Sequence, residues 1–311
     1  MVVADLWGIR PSRIRRRRQT HKNAKALKCE QWLSSKRLGM DESVIAPLNY
    51  LAERVHPLET WAYDPPDGRP RFNGKLRAYP VKIRNARACF EGISSEHGFG
   101  CLHRPSIVSD FCNNEVIRTK VYAETAEWVK DALQASSVVV FDHTYRRRLK
   151  HRPPLDGTGG SFSTIRTPVG RVHSDFTPFS APRRIASLFG QNPDDPLPPY
   201  RIFGVWRPLN QRPLQDAPLA LAAAYSVTSD ELVANAIVYP ERRGETYAVL
   251  HNKHHQWFYF PEMERDEILL FLHYDSVCSE HPAVPHTAFE DPGSPPDAEP
   301  RESLELRMLV L

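Results

Sequence analysis

The sequence lacks long apolar runs and paired cysteine motifs. No segment approaches the roughly 18 consecutive apolar residues that a membrane-spanning helix requires, and no hydrophobic secretory segment is present. The five cysteines are odd in number and show no CxxC spacing, which indicates free thiols in a reducing compartment. We therefore expect a soluble, cytoplasmic protein with no membrane partner.

Acidic residues are almost absent from the first part of the chain and more frequent after it. Residues 1–28 hold nine Lys and Arg against the single carboxylate of Asp5, so the formal charge of +4 leaves the rest of the chain at about −4. A mildly acidic body does not suit a groove that follows a phosphate backbone, and we expect no nucleic-acid partner. The 28 prolines argue against a helical bundle.

Residues 1–44 differ in kind from the remainder. Positions 13–18 are nearly all arginine, and no apolar period of two or 3.6 residues develops before residue 47. We expect a basic, disordered N-terminal extension, followed by one folded domain over residues 45–311. The alternatives are an arm for targeting or nucleic-acid binding, which would suit a non-catalytic binding protein, and a misassigned translation start.

The remaining sequence is typical of a mainly β fold with flanking helices. One helix is predicted over residues 114–135, where apolar side chains recur every four residues from Ile117. Short strands separated by turn residues favour two facing sheets, a cupin-like jelly-roll or double-stranded β-helix. Loops and short strands are predicted over 45–113. Further strands are predicted over 136–142, 163–172, 201–206, 233–239, 245–251, 256–260, 268–274 and 304–310.

A His-Ser-Asp triplet lies near the middle of the chain. Residues i and i+2 of a strand point to the same side, so His173 and Asp175 can reach one metal ion together. Two imidazoles and one carboxylate form the ligand set of non-haem Fe(II) sites, which leave one face open for a co-substrate and O₂. A third ligand must then come from a distant strand. The candidate histidines are His251, His254, His255, His273, His281 and His286.

Arg301 and Ser303 share the same i, i+2 relation near the end of the chain. A guanidinium fork beside a hydroxyl suits a bidentate carboxylate, such as the distal end of 2-oxoglutarate. The order HxD, strand-rich sequence, His and RxS is the one that closes the metal site of a double-stranded β-helix oxygenase. His286 is the histidine nearest to the RxS pair, whereas His273 lies in an apolar run and is expected to be a packing residue.

Six blocks of sequence follow one another in a distinctive order: Phe141-Asp142-His143-Thr144, His173-Ser174-Asp175-Phe176-Thr177, Val205-Trp206-Arg207-Pro208, residues 257–263, Pro285-His286-Thr287-Ala288-Phe289 and Pro300-Arg301-Glu302-Ser303-Leu304-Glu305. Together they resemble the fungal hydroxylase/desaturase family. This family groups the aspergillic acid hydroxylase/desaturase, the gibberellin desaturase and a subunit of the bacterial cephem methoxylase. The resemblance begins about residue 47 and reaches residue 311. It implies that His173, Asp175 and His286 bind Fe(II), and that Arg301 and Ser303 bind 2-oxoglutarate.

The function implied by the resemblance is an Fe(II)- and 2-oxoglutarate-dependent dioxygenase of secondary metabolism. Such an enzyme hydroxylates, desaturates or cyclises a small-molecule substrate, using O₂ and releasing succinate and CO₂. The metal ligands alone also allow a zinc-dependent hydrolase, because two histidines and a carboxylate can hold a catalytic zinc with its water. The RxS pair disfavours this alternative, since a zinc hydrolase does not require it.

Four further residues are candidates for substrate binding. Arg207 ends an apolar strand, where an unpaired charge would be costly, so we expect it to face an anion in the pocket or a carboxylate such as Glu245 or Asp216. A predicted strand is followed by His143 and by the arginines at positions 146–148. We expect one side chain among these four residues to line the pocket. The candidates are Trp206, Arg207, His143 and Phe289.

Overall fold

The computed structural model of the protein describes residues 43–89, 92–149, 151, 153–155, 157–158, 166–278 and 283–311. Nearly all of the expected extension over residues 1–44 lies outside the described residues, as do His281 and the start of the strand expected over 163–172. The extension and its boundary therefore stay predictions.

Helices form a small part of the described chain. Asn113 begins the longest helical stretch, because its side chain accepts hydrogen bonds from the backbone N–H groups of Glu115 and Val116. Within the described residues, no helix is long and apolar enough to cross a bilayer. The helices are α1 (Asn114–Val116), α2 (Tyr122–Leu133) and α3 (Ser180–Phe189), with a π-helical turn (Ile117–Val121) between α1 and α2 and 3₁₀ turns at Ala86–Ala88, Ala224–Ser226 and Ser229–Glu231.

The strands form two sheets, which confirms the double-stranded β-helix fold. The nine-stranded sheet has the order β1-β3-β12-β9-β14-β7-β11-β10-β2, and the six-stranded sheet has the order β4-β5-β13-β8-β15-β6. The strands are β1 (Ser43–Leu51), β2 (Leu58–Trp61), β3 (Leu76–Asn85), β4 (Ile93–Ser94), β5 (Phe99–His103), β6 (Val138–Arg147), β7 (His173–Ser174), β8 (Arg201–Pro208), β9 (Leu219–Ala222), β10 (Leu232–Val238), β11 (Arg243–Val249), β12 (Trp257–Tyr259), β13 (Glu267–Asp275), β14 (His286–Ala288) and β15 (Glu302–Val310).

Four strands differ from the sequence predictions. The region expected to hold only loops and short strands contains β1 and β3, which pair antiparallel over nine residues with Pro47 opposite Pro80. Proline cannot donate to a ladder and argues against a strand, which obscured this pairing in the sequence. Strand β6 continues to Arg147, five residues beyond its expected end. Residues 166–170 form no strand, and β7 has only two residues.

Helix α3 was not predicted from the sequence, where a proline argues against a helix interior. Pro182 lies in its first turn, where the missing N–H costs nothing because that group has no helical partner. The hydroxyl of Thr177 accepts hydrogen bonds from the backbone N–H groups of Phe179 and Ser180. The helix ends at Gly190, whose positive φ of 63° a glycine adopts without strain.

Alternation along the strands divides the apolar residues between separate cores. Phe258 and Phe260 pack in the cluster between the two sheets, whereas Trp257 and Tyr259 pack with the β1–β3 hairpin on the other face. This confirms the prediction that the aromatic run is core rather than a ligand-stacking surface. The outer face of β15 packs against the helical stretch through Leu306, and burying such a leucine stabilises the fold by about 1.5–3 kcal/mol.

Candidate active site

Two histidines lie opposite each other in the nine-stranded sheet. His173 in β7 is the register partner of His286 in the antiparallel strand β14. Directly opposed residues project from the same face, and the two ring centroids are 4.4 Å apart. The strand pairing therefore brings together two imidazoles that are far apart in the sequence.

Asp175 completes the group from the end of β7. Its Oδ1 lies 3.6 Å from His173 Nε2, on the side of the strand that the i, i+2 relation predicts. One ligand atom each from His173, Asp175 and His286 can be chosen so that all three lie within 4.8 Å of one another. The structure thus brings together the three residues that the sequence suggested as metal ligands.

The orientation of both imidazoles is fixed by the backbone. His173 Nδ1 lies 2.8 Å from the carbonyl oxygen of Arg171, and His286 Nδ1 lies 3.1 Å from that of Val284. A carbonyl only accepts, so each Nδ1 donates and each Nε2 keeps its lone pair for the centre. Burial lowers the pKa of His173 to about 3 and also lowers the pKa of His286, so both rings are neutral at pH 7.

Asp175 is ionised although it is buried. Burial alone would raise the pKa of its carboxyl, but the guanidinium of Arg307 and the neighbouring histidines outweigh this and hold the pKa well below the usual value. Arg307 Nε donates to Asp175 Oδ2 over 2.6 Å. The other oxygen, Oδ1, is the one that faces His173.

Arg301 lies across the pocket with its guanidinium buried. Its Nε donates to the Ser303 hydroxyl over 3.2 Å, one NH donates to the carbonyl oxygen of Ala217 over 2.8 Å, and its guanidinium carbon lies 5.0 Å from the Trp206 ring. Among the described residues, no carboxylate lies within ion-pairing distance of this guanidinium. Burial, together with the nearby Arg146, lowers the pKa of Arg301 to about 9. A buried arginine without an acid is stabilised when an anion binds.

Asp216 holds the backbone of Arg301 rather than its side chain. Its Oδ2 accepts a hydrogen bond from the Arg301 backbone N–H over 2.9 Å, and its Oδ1 accepts one from Arg148 over 2.7 Å. The next residue, Ala217, has a positive φ of 49°, a conformation that costs about 1–3 kcal/mol outside glycine. This backbone presents the carbonyl that orients the Arg301 guanidinium.

A pocket that is open to solvent lies between the sheets, and the empty space at it, bulk solvent included, amounts to about 300 Å³. Its nine-stranded side carries the paired histidines, and its six-stranded side carries Arg146 and Arg301. A dianion that reaches a metal at one end and arginine at the other would suit this polarity. The lining residues are Arg146, Val169, His173, Trp206, Leu219, His286, Ala288, Arg301 and Glu305.

Two buried residues beside the centre were not expected from the sequence. His273 was expected to pack in an apolar core, but its Nε2 lies 3.3 Å from Glu305 Oε1 and 3.9 Å from Asp175 Oδ2. Glu305 was given no role. The alternation of strand residues could have indicated Glu305. It lies two residues beyond Ser303 and therefore on the same strand face.

Only part of the predicted substrate set lines the pocket. Trp206 does, and its indole Nε1 is buried without a hydrogen-bond partner in the described structure. Arg207 points to the opposite face of β8 and does not line this pocket, where the sequence had placed it against an anion. It lies between the rings of Phe111 and Trp128 and donates to the carbonyl oxygen of Arg104, without a described carboxylate partner.

His143 and Phe289, which were also predicted to contact substrate, do not line this pocket either. His143 is on the outer face of β6, where its ring nitrogens meet the Tyr122 hydroxyl at 2.8 Å and Asn114 Oδ1 at 2.9 Å. Phe289 packs edge-on against Tyr259 in the core beneath the β1–β3 hairpin. Within the group 143 and 146–148, Arg146 is the residue that lines the pocket.

The residues present fit Fe(II) and 2-oxoglutarate. Neutral imidazoles with free Nε2 atoms and an ionised carboxylate match the 2-His-1-carboxylate set of non-haem Fe(II) oxygenases. Arg301, which is 2% exposed, supplies the cation that the distal carboxylate of 2-oxoglutarate requires. This fit rests on the donor set and on the buried Arg301 guanidinium, which has no carboxylate partner in the part of the chain that the structure describes.

Fold and site together define a non-haem iron oxygenase, and comparison with known proteins places the chain in a family. A family model described as "Oxidoreductase/YMDC permease-like domain" matches residues 48–311. The α-ketoglutarate-dependent dioxygenase phiK of Fungal sp. is 31% identical over 70% of this chain and 78% of its own length. The hydroxylase/desaturase efuI of Hormonema carpetanum is 28% identical over 76% and 84% of the two chains.

A solved structure shows the same fold. The iron and α-ketoglutarate-dependent endoperoxidase NvfI superposes with a TM-score of 0.73, at 24% identity, over 88% of this chain and 99% of that one. The chain belongs to the family of fungal Fe(II)- and 2-oxoglutarate-dependent dioxygenases and hydroxylase/desaturases. It is therefore an oxidoreductase, and the zinc-hydrolase alternative finds no support among these relatives.

Proposed function

We propose that His173, Asp175 and His286 bind Fe(II) and that Arg301 with Ser303 binds the distal carboxylate of 2-oxoglutarate. The enzyme would use this centre to oxidise a C–H bond of a small secondary metabolite or its precursor. The observation that carries the proposal is the register pairing of His173 with His286, facing a buried arginine that has no acid partner among the described residues.

The protein groups have separate tasks in this proposal. Iron held by the three ligands would supply the activation of O₂ that is coupled to the decarboxylation of 2-oxoglutarate to succinate and CO₂. The neutral imidazoles bind metal without first losing a proton. Arg301 orients the co-substrate through a charge-assisted hydrogen bond, and the Trp206 ring covers the guanidinium and keeps water from it.

The apolar part of the pocket is where we place the substrate. Val169, Leu219 and Ala288 line it without offering a side-chain hydrogen bond, so they suit a hydrocarbon portion of a small molecule. Hydroxylation, desaturation and oxidative cyclisation all begin with oxidation at such a C–H bond. The relatives include proteins named as hydroxylase/desaturases, and NvfI is named as an endoperoxidase.

We also propose that the enzyme works in the cytoplasm on a free small molecule rather than on nucleic acid or at a membrane. The four described cysteines, at positions 89, 101, 112 and 278, are free thiols, as suits a reducing compartment. The mildly acidic sequence after residue 28 supports the absence of a nucleic-acid partner.

The test is anaerobic reconstitution of the full chain with Fe(II), followed by calorimetric titration with 2-oxoglutarate. The reconstituted protein should bind 2-oxoglutarate, and the protein without metal should bind it much more weakly. After air is admitted, succinate should form, and mass spectrometry of material retained from metabolite extracts should reveal the substrate. Failure to bind 2-oxoglutarate in the presence of stoichiometric Fe(II) would overturn the proposal.

A further inference from the structure

A second group of ligand-type atoms lies directly beside the first. Asp175, His273 and Glu305 also place ligand atoms within 4.8 Å of one another, and Asp175 belongs to both groups. His273 is fully buried and Glu305 is 6% exposed. Two three-ligand groups that share a carboxylate resemble the protein part of a two-metal site, in which the ions lie about 3.5–4 Å apart.

Arg307 is placed against the carboxylates of this second group. Its Nε lies 2.6 Å from Asp175 Oδ2, and one of its NH groups lies 3.2 Å from Glu305 Oε1. The other NH group donates to Asp142 Oδ1 over 3.3 Å and to the Thr144 hydroxyl over 3.2 Å. A guanidinium is a permanent cation with five donors in a fixed plane, so it can neutralise two carboxylates and stay in one orientation.

The neighbouring strand leaves room for this arrangement. Gly204 in β8 is the register partner of Arg307, and a Cβ at position 204 would lie 2.4 Å from His273 Nε2. A side chain at position 204 would therefore force His273 to move. The glycine allows the imidazole to lie against Glu305 and Asp175.

We propose that Arg307 takes the place of a second metal ion, so that the centre binds one ion, and that it holds Asp175 with only Oδ1 directed at that ion. The inference rests on the proposed function for the first metal site. Asp175 and Glu305 are both buried, so removing the Arg307 charge leaves two neighbouring carboxylates without their cation. A divalent ion is then the group that can neutralise the charge of these two carboxylates.

The test compares metal stoichiometry in the full chain and its variants, using Co(II) as the probe. Wild-type protein should bind one Co(II) per chain at saturation, and Arg307→Met should bind two. Adding Glu305→Gln to Arg307→Met should return the stoichiometry to one, because the second group then keeps no carboxylate of its own and only Asp175, which it shares with the first. Arg147→Met is the matched control, since Arg147 lies on the neighbouring strand with a half-exposed side chain and should leave one Co(II) bound.

A second variant addresses the positioning of Asp175 and guards against misfolding of Arg307→Met. Arg307→Lys keeps the charge but cannot hold both carboxylates in one plane, so it should bind one Co(II) about 10- to 100-fold more weakly. If Arg307→Lys binds Co(II) as tightly as wild type, Arg307 does not position Asp175. If folded Arg307→Met binds only one Co(II), Arg307 does not take the place of a second metal ion. Absence of stoichiometric Co(II) in the wild type would instead show that the proposed metal centre is wrong.

Discussion

His173 and His286 are 113 positions apart in the chain and directly opposed in the sheet, as register partners on β7 and β14. Each ring is oriented by a hydrogen bond from Nδ1 to a backbone carbonyl, so the strand pairing sets both the position and the tautomer of the pair. The nine-stranded sheet thus supplies the proposed metal ligands. The six-stranded sheet faces it with Arg301 and Arg307.

Arg301→Ala should weaken 2-oxoglutarate binding more than Ser303→Ala does. A hydrogen bond to a charged group contributes about 1.5–3 kcal/mol, or about 10- to 150-fold in affinity, against about 1 kcal/mol, or about fivefold, for a neutral hydroxyl. Calorimetric titration of the Fe(II)-loaded variants measures both affinities for 2-oxoglutarate. Arg183→Ala is the control, because Arg183 is exposed. Equal affinities in Arg301→Ala and wild type would place the carboxylate anchor elsewhere.

Arg207→Met should leave iron content and 2-oxoglutarate turnover at wild-type levels. Arg207 lies on the outer face of β8 between aromatic rings, and burial lowers its pKa to about 10, which shows that the fold disfavours its charge. Keeping a charge buried costs several kcal/mol of lost hydration, and an uncharged residue of similar volume avoids this cost. Chemical denaturation should therefore show equal or greater stability. Lost substrate oxidation with persisting 2-oxoglutarate decay would instead place Arg207 in the pocket.

The metal-free protein should lose stability as the pH falls below about 6.5, the ordinary pKa of histidine. Six described histidines have a folded-state pKa below that value, chiefly because burial disfavours the charged ring; they are His97, His143, His173, His251, His255 and His286. In this range the unfolded chain binds more protons than the folded one, so the free energy of unfolding rises with pH. The melting temperature should be lower at pH 5.5 than at pH 7.5, and no decrease would contradict this assignment.

Removal of residues 1–42 should leave the melting temperature and turnover nearly unchanged. The segment shows no apolar period with which to join a core. The cut falls before Ser43 because Ser43 is the first residue of β1 and pairs with Arg84 in β3. Aggregation of the truncated protein, measured by light scattering, would show that the segment covers apolar surface.

The sequence carried enough information for the proposed ligands and for the fold class. The i, i+2 relation put His173 and Asp175 on one side of a strand, and the order of the later blocks selected His286 among several histidines. Regular short strands indicated the facing sheets. These features depend on local spacing and on the order of blocks, which a single sequence displays.

The remaining parts of the site depend on pairings that a single sequence does not display. Trp206 and Arg207 were both expected in the pocket, although neighbours on a strand point to opposite faces and only Trp206 lines it. The pairing of β15 with β6 and β8 brings Arg307 to Asp175, and the pairing of β13 with β8 brings His273 beside them. A buried histidine surrounded by charge looks, in sequence, like one in an apolar core.

The most direct test of the metal centre is the iron content of His286→Ala after anaerobic reconstitution and desalting, measured against His255→Ala. His255 is also buried, but it is held by Glu231 and Tyr50 outside the pocket. We predict about one iron per chain in wild type and His255→Ala, and almost none in folded His286→Ala, because the remaining His173 and Asp175 form an incomplete site. A full complement of iron in His286→Ala would contradict the central claim.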